Sequence, residues 1–540
     1  MQHRIALIGL SGSGKTTVGK LLAQNLGWRY IDTDQLVETQ AQQPITTIVA
    51  EAGESAFRRL ESQALVEALA EQHVVIATGG GIVEDPVNRE RLAAGAFTVW
   101  LHAPTAALVA RLADTTDRPL LADGPETRLN QMAARRTPLY AALADWIIAT
   151  DGLAPGQVVD DLLRGYALRQ GSPGGDGLTV VTPGGSYAVR AGHHLLDQLP
   201  AWIKRLGLRG RIWLVSDTTV FPLHGARVCD LLRSHGYALQ SHTIPAGEQY
   251  KTLDTVRQVY DWLLEQGVER GDVVLALGGG VVGDLVGFAA ATVLRGVAVI
   301  QLPTTVLAMV DSAIGGKTGV DHAVGKNLIG AFHQPRLVLA DTSLLPTLSA
   351  AERAAGWAEA IKHGIIGDPE LFAELKQHAQ AVLNLEEPIT GRLIQQAAAH
   401  KVRVVSGDER EQGGRIMLNY GHTIGHAVES ESGYTLRHGE AIAIGMMAAG
   451  TIAVRLGLFS QVALDEQRMV LELFGLPTCL PLTIDTECVL QRISSDKKVR
   501  ASRVRWVLPT AIGATVVRDD VPLELVAAVL DGLRATADQP

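Results

Sequence analysis

The run Gly9-Leu10-Ser11-Gly12-Ser13-Gly14-Lys15-Thr16 limits what this chain can fold into more than any other stretch. It has the form G-x-x-x-x-G-K-[ST], and its surroundings matter as much as its letters. Apolar residues 5–8 read as a buried strand before it, and residues 18–26 carry helical periodicity after it. A strand, a glycine-rich turn and a helix in that order let backbone N–H groups close around phosphate oxygens at the positive end of the helix. Gly12, Ser13, Gly14, Lys15, Thr16 and Thr17 are the candidate ligands of ATP. Lys15 would reach the outer phosphates, and the Thr16 hydroxyl would ligate Mg2+. Further β-rich runs at 74–77, 97–101 and 146–149 alternate with helical stretches, which predicts a parallel sheet covered by helices.

With 540 residues the chain is too long for one core. Its 47% hydrophobic and 19% charged residues are a globular composition. A net charge of −9 and the lack of a basic run give no footprint for nucleic acid, so anionic ligands must be held by local cationic clusters. Cys229, Cys479 and Cys488 lack the spacing of a zinc knuckle or a disulfide framework. No charged leader precedes residues 5–8, and no apolar stretch of about 20 residues runs uninterrupted. A cytoplasmic protein without a membrane span is the expectation.

The most flexible composition is Gly171-Ser172-Pro173-Gly174-Gly175-Asp176-Gly177. It divides the chain into a P-loop α/β domain at 1–168, a linker at 169–178, and a second part with an α/β half at 179–340 and an α-helical half at 341–540. Strand-like runs at 212–216, 273–277 and 297–302 mark the α/β half. Helical stretches at 352–366, 394–405, 416–429 and 441–456 mark the other. A cleft between two such halves is a usual ligand site.

In the second part, Gly278-Gly279-Gly280-Val281-Val282-Gly283-Asp284 follows a strand, where a pyrophosphate can approach the backbone. By itself this turn also suits tight packing. Three histidines, His422, His426 and His438, fall within 17 residues and suggest a divalent metal. Spacing alone favours His422 with His426, because positions i and i+4 share a helix face.

The ordered set of Asp32-Thr33-Asp34, Gly53 to Glu61, Thr78-Gly79-Gly80-Gly81, Arg118-Pro119-Leu120-Leu121 and Arg136-Thr137-Pro138-Leu139-Tyr140, after the P-loop, resembles shikimate kinase over roughly residues 1–165. The resemblance implies ATP-dependent phosphorylation of shikimate. Asp34, Arg58, Gly80 and Arg136 would hold the substrate, Asp34 as hydroxyl acceptor and base, and the two arginines as a carboxylate clamp. Asp32 would support the Mg2+, and Arg118 would close over the phosphates.

From about residue 179 onward, Ala246 to Lys251, Gly279 to Gly287, Arg295-Gly296, Pro303-Thr304-Thr305, Asp311-Ser312, Gly315-Gly316-Lys317, Gly325-Lys326-Asn327, Ala358 to Lys362, Asp408 to His426, His438-Gly439-Glu440 and Asp496-Lys497-Lys498 look like 3-dehydroquinate synthase. This resemblance moves the metal ligands to Glu359, His422 and His438, for Zn2+ or Co2+, with His426 serving the substrate beside them. It implies that 3-deoxy-D-arabino-heptulosonate 7-phosphate is converted to 3-dehydroquinate and phosphate. The steps would be transient oxidation by NAD+, β-elimination, re-reduction and aldol closure. Asp217, Glu248, Lys251, Gly280, Val281, Asp284, Thr304, Thr305, Lys317 and Lys326 would hold NAD+. Arg295, Asp311, Lys317, Lys326, Asn327, Lys362, Lys401, Glu411, Arg415, Asn419 and Lys497 would serve the substrate, with Lys317, Lys362, Lys401, Arg415, Asn419 and His426 closest to the chemistry. A homodimer through this part is compatible with the resemblance.

The chain departs from the family's usual pattern at Ala313, Asp321, Val293 and Tyr420. Other readings of the second part are a different sugar-phosphate cyclase, a metal- and NAD-dependent polyol dehydrogenase, or a silent fused partner. The lysine set argues against a dehydrogenase. Retention of Lys15, Arg118 and the metal triad argues against a silent partner.

Overall fold

The computed structural model of the protein describes residues 3–112, 125–170, 178–411, 413–495 and 504–534. Arg118, Lys497 and the glycine-rich segment 171–177 lie outside the described residues. The chain divides into two compact units, one of residues 1–187 with 205–207 and one of residues 188–204 with 208–540.

The first unit is built on five parallel strands, β1 (Arg4–Ile8), β2 (Arg29–Asp32), β3 (Val74–Ala77), β4 (Phe97–His102) and β5 (Trp146–Ala149), in the order β2-β3-β1-β4-β5. The inner strands are covered on both faces, which is why they read as unbroken apolar runs. β1 is central, pairing with β3 on one side and β4 on the other. The chain leaves β1 at the point where strand order changes direction, which is where ligands bind in such sheets. The P-loop occupies that point and leads into the helix Lys15–Leu26.

A further strand, β6 (Leu178–Thr182), precedes β7 (Gly185–Gly192). The second unit continues with β8 (Ile212–Asp217), β9 (Leu239–Ile244), β10 (Val273–Gly278), β11 (Ala298–Pro303), a hairpin of β12 (Lys317–His322) and β13 (Gly325–Phe332), and β14 (Leu337–Asp341). Its parallel strands run in the order β7-β14-β11-β10-β8-β9. The glycine turn after β10 opens the helix Gly280–Thr292 beside β8, again where the order reverses.

From residue 350 the unit is mainly helical, around a core containing Trp357, Ile361, Tyr420, Ile442, Met446 and Phe474. Three of its helices carry the histidines and the buried glutamate, and glycines set how closely they cross. A Cβ on Gly445 would press on the Gly421 carbonyl oxygen, and one on Gly439 would press on that of Ala355. The helices His422–Glu431 and His438–Arg455 therefore meet backbone to backbone, and the latter meets Ala350–Gly367 in the same way.

The helix expected at 416–429 is broken. A 3-10 turn at Gly414–Asn419 ends before Gly421, which takes φ 77°, and a new helix starts at His422. A side chain on Gly421 would be strained by that φ and would meet Met446. The C-terminal region also contains an antiparallel pair, β15 (Trp506–Ala511) and β16 (Ala514–Arg518), that the helical periodicity did not announce. No described helix is long and apolar enough to cross a membrane.

The glycine crossing yields a prediction. Gly445→Ala should lower the urea unfolding free energy by about 1–3 kcal/mol, because overpacked backbone contacts cannot relax by side-chain rotation. An unchanged midpoint would show that the helices are not in contact there.

Candidate active sites

The first site is assembled around two glycine turns. In the P-loop, Gly9, Gly12 and Gly14 all have positive φ, and a Cβ on Gly9 would lie 2.6 Å from the Leu101 carbonyl oxygen. Lys15 donates to the carbonyl oxygens of Gly9 (2.7 Å) and Leu10 (3.0 Å), so its ammonium is folded back over the loop. Thr16 Oγ1 donates to Asp32 Oδ2 at 3.3 Å, and Tyr30 donates to the same oxygen at 3.1 Å. Asp32 Oδ1 accepts the backbone N–H of Asp34 and caps the helix that carries it.

The second turn, Gly79–Gly81, is a floor that leaves no room for a side chain at Gly79 or Gly81. A Cβ on Gly79 would lie 2.6 Å from Asp34 Oδ1, and one on Gly81 would run into the Arg58 guanidinium. A Cβ on Gly80 would lie 3.7 Å both from Arg136 Nη1 and from the Ser11 nitrogen. Asp34, Arg58, Gly80 and Arg136 thus come together beside the P-loop. A cavity of about 500 Å3 opens beside Arg58, Glu61, Gly81 and Glu84.

Two acidic residues here carried no assigned role in the sequence reading. Glu61 accepts from Arg58 Nη1 at 2.8 Å, and Glu84 accepts from Arg136 Nε at 2.8 Å. Burial acts to raise the Glu84 carboxyl, but Arg136 and Arg135 outweigh it and hold it below its ordinary value. Glu61 and Glu84 stand three residues beyond Arg58 and Gly81, and that spacing is the only trace of them in the sequence.

The second site spans the α/β and helical halves of the second unit. On the α/β side, Asp217 Oδ1 accepts the backbone N–H groups of Thr219 and Val220 at the end of β8. Thr304 is buried, and its N–H donates to the Gly278 oxygen. Cβ atoms on Gly279 and Gly280 would lie 3.2 Å from Thr305 Cγ2 and 3.1 Å from Ser312 Oγ, so backbone faces the turn with no side chain to spare. This suits the close approach of a pyrophosphate. Buried Lys251 donates to Asp284 Oδ2 at 2.7 Å and to Asn327 Oδ1 at 2.6 Å. Burial raises the Asp284 carboxyl to about 6 even against the pull of Lys251.

Further in, Lys401 donates to Asp311 Oδ1 at 2.5 Å, and His363 Nε2 lies 3.5 Å from the same oxygen. Burial opposes ionisation of Asp311, yet Lys401 and Lys362 hold its carboxyl well below the usual range. Lys317 pairs with Glu411, whose other oxygen accepts from Asn419 Nδ2 at 3.0 Å. Arg415 is buried, with its guanidinium on the carbonyl oxygens of Glu409 and Gly315. Arg295 is exposed in a left-handed turn, and among the described residues no hydrogen bond or ion pair joins it to this cluster.

Among the described residues Glu359, His422 and His438 form one group that could hold a metal, with ligand atoms within 4.8 Å of one another, and Asp311, Glu359 and His363 form another that shares the glutamate. Glu359 Oε1 is 3.4 Å from Nε2 of each histidine, and Lys362 pairs with Oε2. His422 donates from Nδ1 to the Tyr420 oxygen at 3.0 Å, which leaves Nε2 for a metal. Burial would raise the Glu359 carboxyl, but Lys362 and His422 hold it well below the usual carboxylate range. A fully buried carboxylate facing two imidazole Nε2 atoms is the donor set of a catalytic zinc or cobalt site with open positions. His426 is exposed on the same helix as His422, with the two rings 5.1 Å apart. It belongs to a third possible donor group, with Glu429 and His438.

Models of the N-terminal and C-terminal parts of 3-dehydroquinate synthase match residues 241–355 and 356–499. The 3-dehydroquinate synthase of Nostoc punctiforme is 48% identical over 359 residues, which is 66% of this chain and 99% of that protein. The chain belongs to the 3-dehydroquinate synthase family. The enzyme of Thermosynechococcus vestitus is 49% identical over 358 residues, covering 65% of this chain and 97% of the relative. The shikimate kinase model matches residues 11–166, so a kinase domain precedes the synthase. Among solved structures, 2-epi-5-epi-valiolone synthase from Streptomyces hygroscopicus subsp. jinggangensis 5008, with NAD+ and Zn2+ bound, is 30% identical with a TM-score of 0.61. The likeness covers 64% of this chain and 96% of that one. A 2-deoxy-scyllo-inosose synthase complexed with carbaglucose-6-phosphate, NAD+ and Co2+ is 27% identical, also at a TM-score of 0.61, over 66% of this chain and 99% of that one.

The buried Lys251–Asp284 pair gives a prediction. Lys251→Met should cost about 3–5 kcal/mol of unfolding free energy at pH 8, because it leaves a buried carboxylate without its cation. The folded Asp284 carboxyl is raised above its unfolded value, and more so without Lys251, so the loss should shrink at pH 5, where the group is protonated. An equal loss at both pH values in urea titrations would contradict this.

Proposed function

We propose that this chain is a bifunctional enzyme of the shikimate pathway. It phosphorylates shikimate with ATP, and it converts 3-deoxy-D-arabino-heptulosonate 7-phosphate to 3-dehydroquinate and phosphate. The observation that carries the synthase reading is the group of buried Glu359 with half-buried His422 and His438, in the same unit as the glycine turn after β10, with Asp311, the partner of Lys401, within ligand distance of Glu359. We assign residues 1–168 to the kinase, 169–178 to the linker, and 179–340 and 341–540 to the two halves of the synthase.

In the kinase, the P-loop amides and Lys15 would receive the phosphates of ATP, and Thr16 and Asp32 would hold Mg2+. Arg58 lines the cavity beside Gly81 and Arg136 lies next to Gly80, and a guanidinium of each is suited to the shikimate carboxylate. Asp34, at the glycine floor, is placed to accept the proton of the attacking hydroxyl. Arg118 would stabilise the charge in transfer.

In the synthase, NAD+ would lie over Gly280, Val281, Thr304 and Thr305, with Asp217, Glu248 and Lys251 around it. Zn2+ or Co2+ would be held by Glu359, His422 and His438. When bound, these groups supply reversible oxidation of one substrate carbinol and polarisation of its oxygen. The protein's own part is positioning. Lys317, Lys326, Asn327 and Arg295 would serve the phosphate, and Arg415, Asn419, Lys401 and Lys497 the carboxylate and hydroxyls. Lys362, already against Glu359, is placed to hold a substrate hydroxyl next to the metal, and Asp311 keeps Lys401 charged and fixed. His426, exposed beside the metal group, is available to move a proton at the substrate's edge.

Purified protein should release phosphate from the heptulosonate phosphate in an NAD+- and metal-dependent way with no net NADH, and should separately phosphorylate shikimate. Lys15→Met should lower kinase turnover at least about 100-fold and leave the synthase rate intact, and His422→Ala should do the reverse. Net NADH accumulation without cyclised product would contradict the synthase reading. Inertness toward shikimate with turnover of another hydroxyl substrate would contradict the kinase reading.

A further inference from the structure

We propose that Glu429 is the positioning residue of the metal site, fixing the tautomer and orientation of His438, and that Lys326 of the α/β half holds Glu429 in turn. The inference rests on the reading of Glu359, His422 and His438 as the metal ligands.

Both ring nitrogens of His438 are engaged. Nε2 lies 3.4 Å from Glu359 Oε1, and Nδ1 lies 3.3 Å from Glu429 Oε2. An imidazole that ligates through Nε2 carries its proton on Nδ1, and that proton needs an acceptor. His422 solves the problem with backbone, through the Tyr420 carbonyl oxygen. Among the described residues no backbone carbonyl is hydrogen-bonded to His438, which starts the helix His438–Arg455 and follows the loop from Ser432 to Arg437. A buried carboxylate takes the place of the carbonyl. A charged acceptor makes the imidazole the more basic ligand as well as the better oriented one.

Glu429 stands seven residues, two helical turns, beyond His422, so one helix face carries a ligand at its start and the other ligand's support at its end. Its remaining oxygen, Oε1, accepts from Lys326 Nζ at 3.0 Å. Lys326 belongs to β13, lies 4.4 Å over the Tyr434 ring and comes within 3.5 Å of Glu248. Glu248–Lys326–Glu429–His438 is therefore a line of alternating charge from the dinucleotide side of the cleft to the metal. It places a restraint on His438 that exists only while β13 lies against the helix His422–Glu431. Glu429 and His426 also form a donor group with His438, but that group would use His438 Nδ1, the atom that the positioning role needs protonated. The two roles exclude each other, and experiment can separate them.

The test uses the full chain stripped of metal. Zn2+ affinity is measured by competition with a chromophoric chelator, and the Co2+ absorption spectrum is recorded, for wild type, Glu429→Ala, Glu429→Gln, Glu359→Ala and His422→Ala. Thermal melting of each metal-free form checks the fold. Glu429→Ala is expected to weaken Zn2+ binding about 10–100-fold while the Co2+ bands keep their wavelength and intensity. Glu429→Gln, whose amide oxygen still accepts the Nδ1 proton, should recover most of the affinity. Wild-type affinity in Glu429→Ala, with a large loss in His422→Ala, would overturn the proposal and leave the metal site standing. A loss in Glu429→Ala equal to that in His422→Ala, with altered Co2+ bands, would overturn it by making Glu429 a ligand. Wild-type affinity in both Glu359→Ala and His422→Ala would overturn the metal site and the proposal together.

Discussion

A carboxylate with no access to solvent sits at the centre of the second unit, and the arrangement around it follows from what that carboxylate requires. Glu359 is fully buried in a helix of Ala, Ile and Trp, where an isolated charge would cost several kcal/mol. It is tolerated because Lys362, one turn on and itself buried, lies against one oxygen and two imidazoles face the other. Those imidazoles arrive on two further helices, which approach closely enough only because Gly421, Gly439 and Gly445 have no side chains. The electrostatic need and the packing device are one piece of architecture. Larger residues at the crossings would separate the histidines from the carboxylate.

The same logic recurs through the cleft. Buried or half-buried cations are paired with carboxylates before any ligand arrives, as in Lys251–Asp284, Lys401–Asp311 and Lys326–Glu429. In each pair the carboxylate opposes the loss of the ammonium's charge that burial favours. A phosphorylated sugar acid entering such a cleft meets charges already in position, and little reorganisation remains to be done. The kinase site uses the idea in a smaller space, with Glu61 and Glu84 steadying Arg58 and Arg136 beside a glycine floor. The two substrates are both hydroxylated carboxylates, and both sites hold paired cations rather than an overall basic surface, in keeping with the net charge of −9.

Local chemistry made much of this legible from the sequence alone. The P-loop is a backbone conformation written in glycines, and Gly9, Gly12 and Gly14 adopt the positive φ that only glycine takes cheaply. Alternation of apolar runs and helical stretches announced the parallel sheet of the first unit and an α/β half in the second. Spacing alone paired His422 with His426, because it could not see that another helix brings His438 to Glu359, far away in the chain. Nor could periodicity foresee the break itself, since Ile416 and Tyr420 suit a helix well, and it is the positive φ of Gly421 and its contacts with Met446 and Ile442 that require glycine at the next position. Glu429 and Glu84 were invisible for a related reason. A lone acidic residue on a helix or a turn reads as a solvated one, and nothing nearby announces a histidine or an arginine brought by another element. Arg295, singled out by motif, is exposed, and among the described residues no hydrogen bond or ion pair ties it to the cluster.

The central claim is that this fold builds a three-ligand metal site with Glu359 at its base. Crystals of the full chain grown with Zn2+, measured on both sides of the zinc absorption edge, address it directly. The account predicts one strong anomalous peak about 2.0–2.2 Å from a Glu359 oxygen and from Nε2 of His422 and His438, with Glu429 on Nδ1 of His438. A peak bonded instead to His426, Glu429 and Nδ1 of His438, with Glu359 paired only to Lys362, would contradict it.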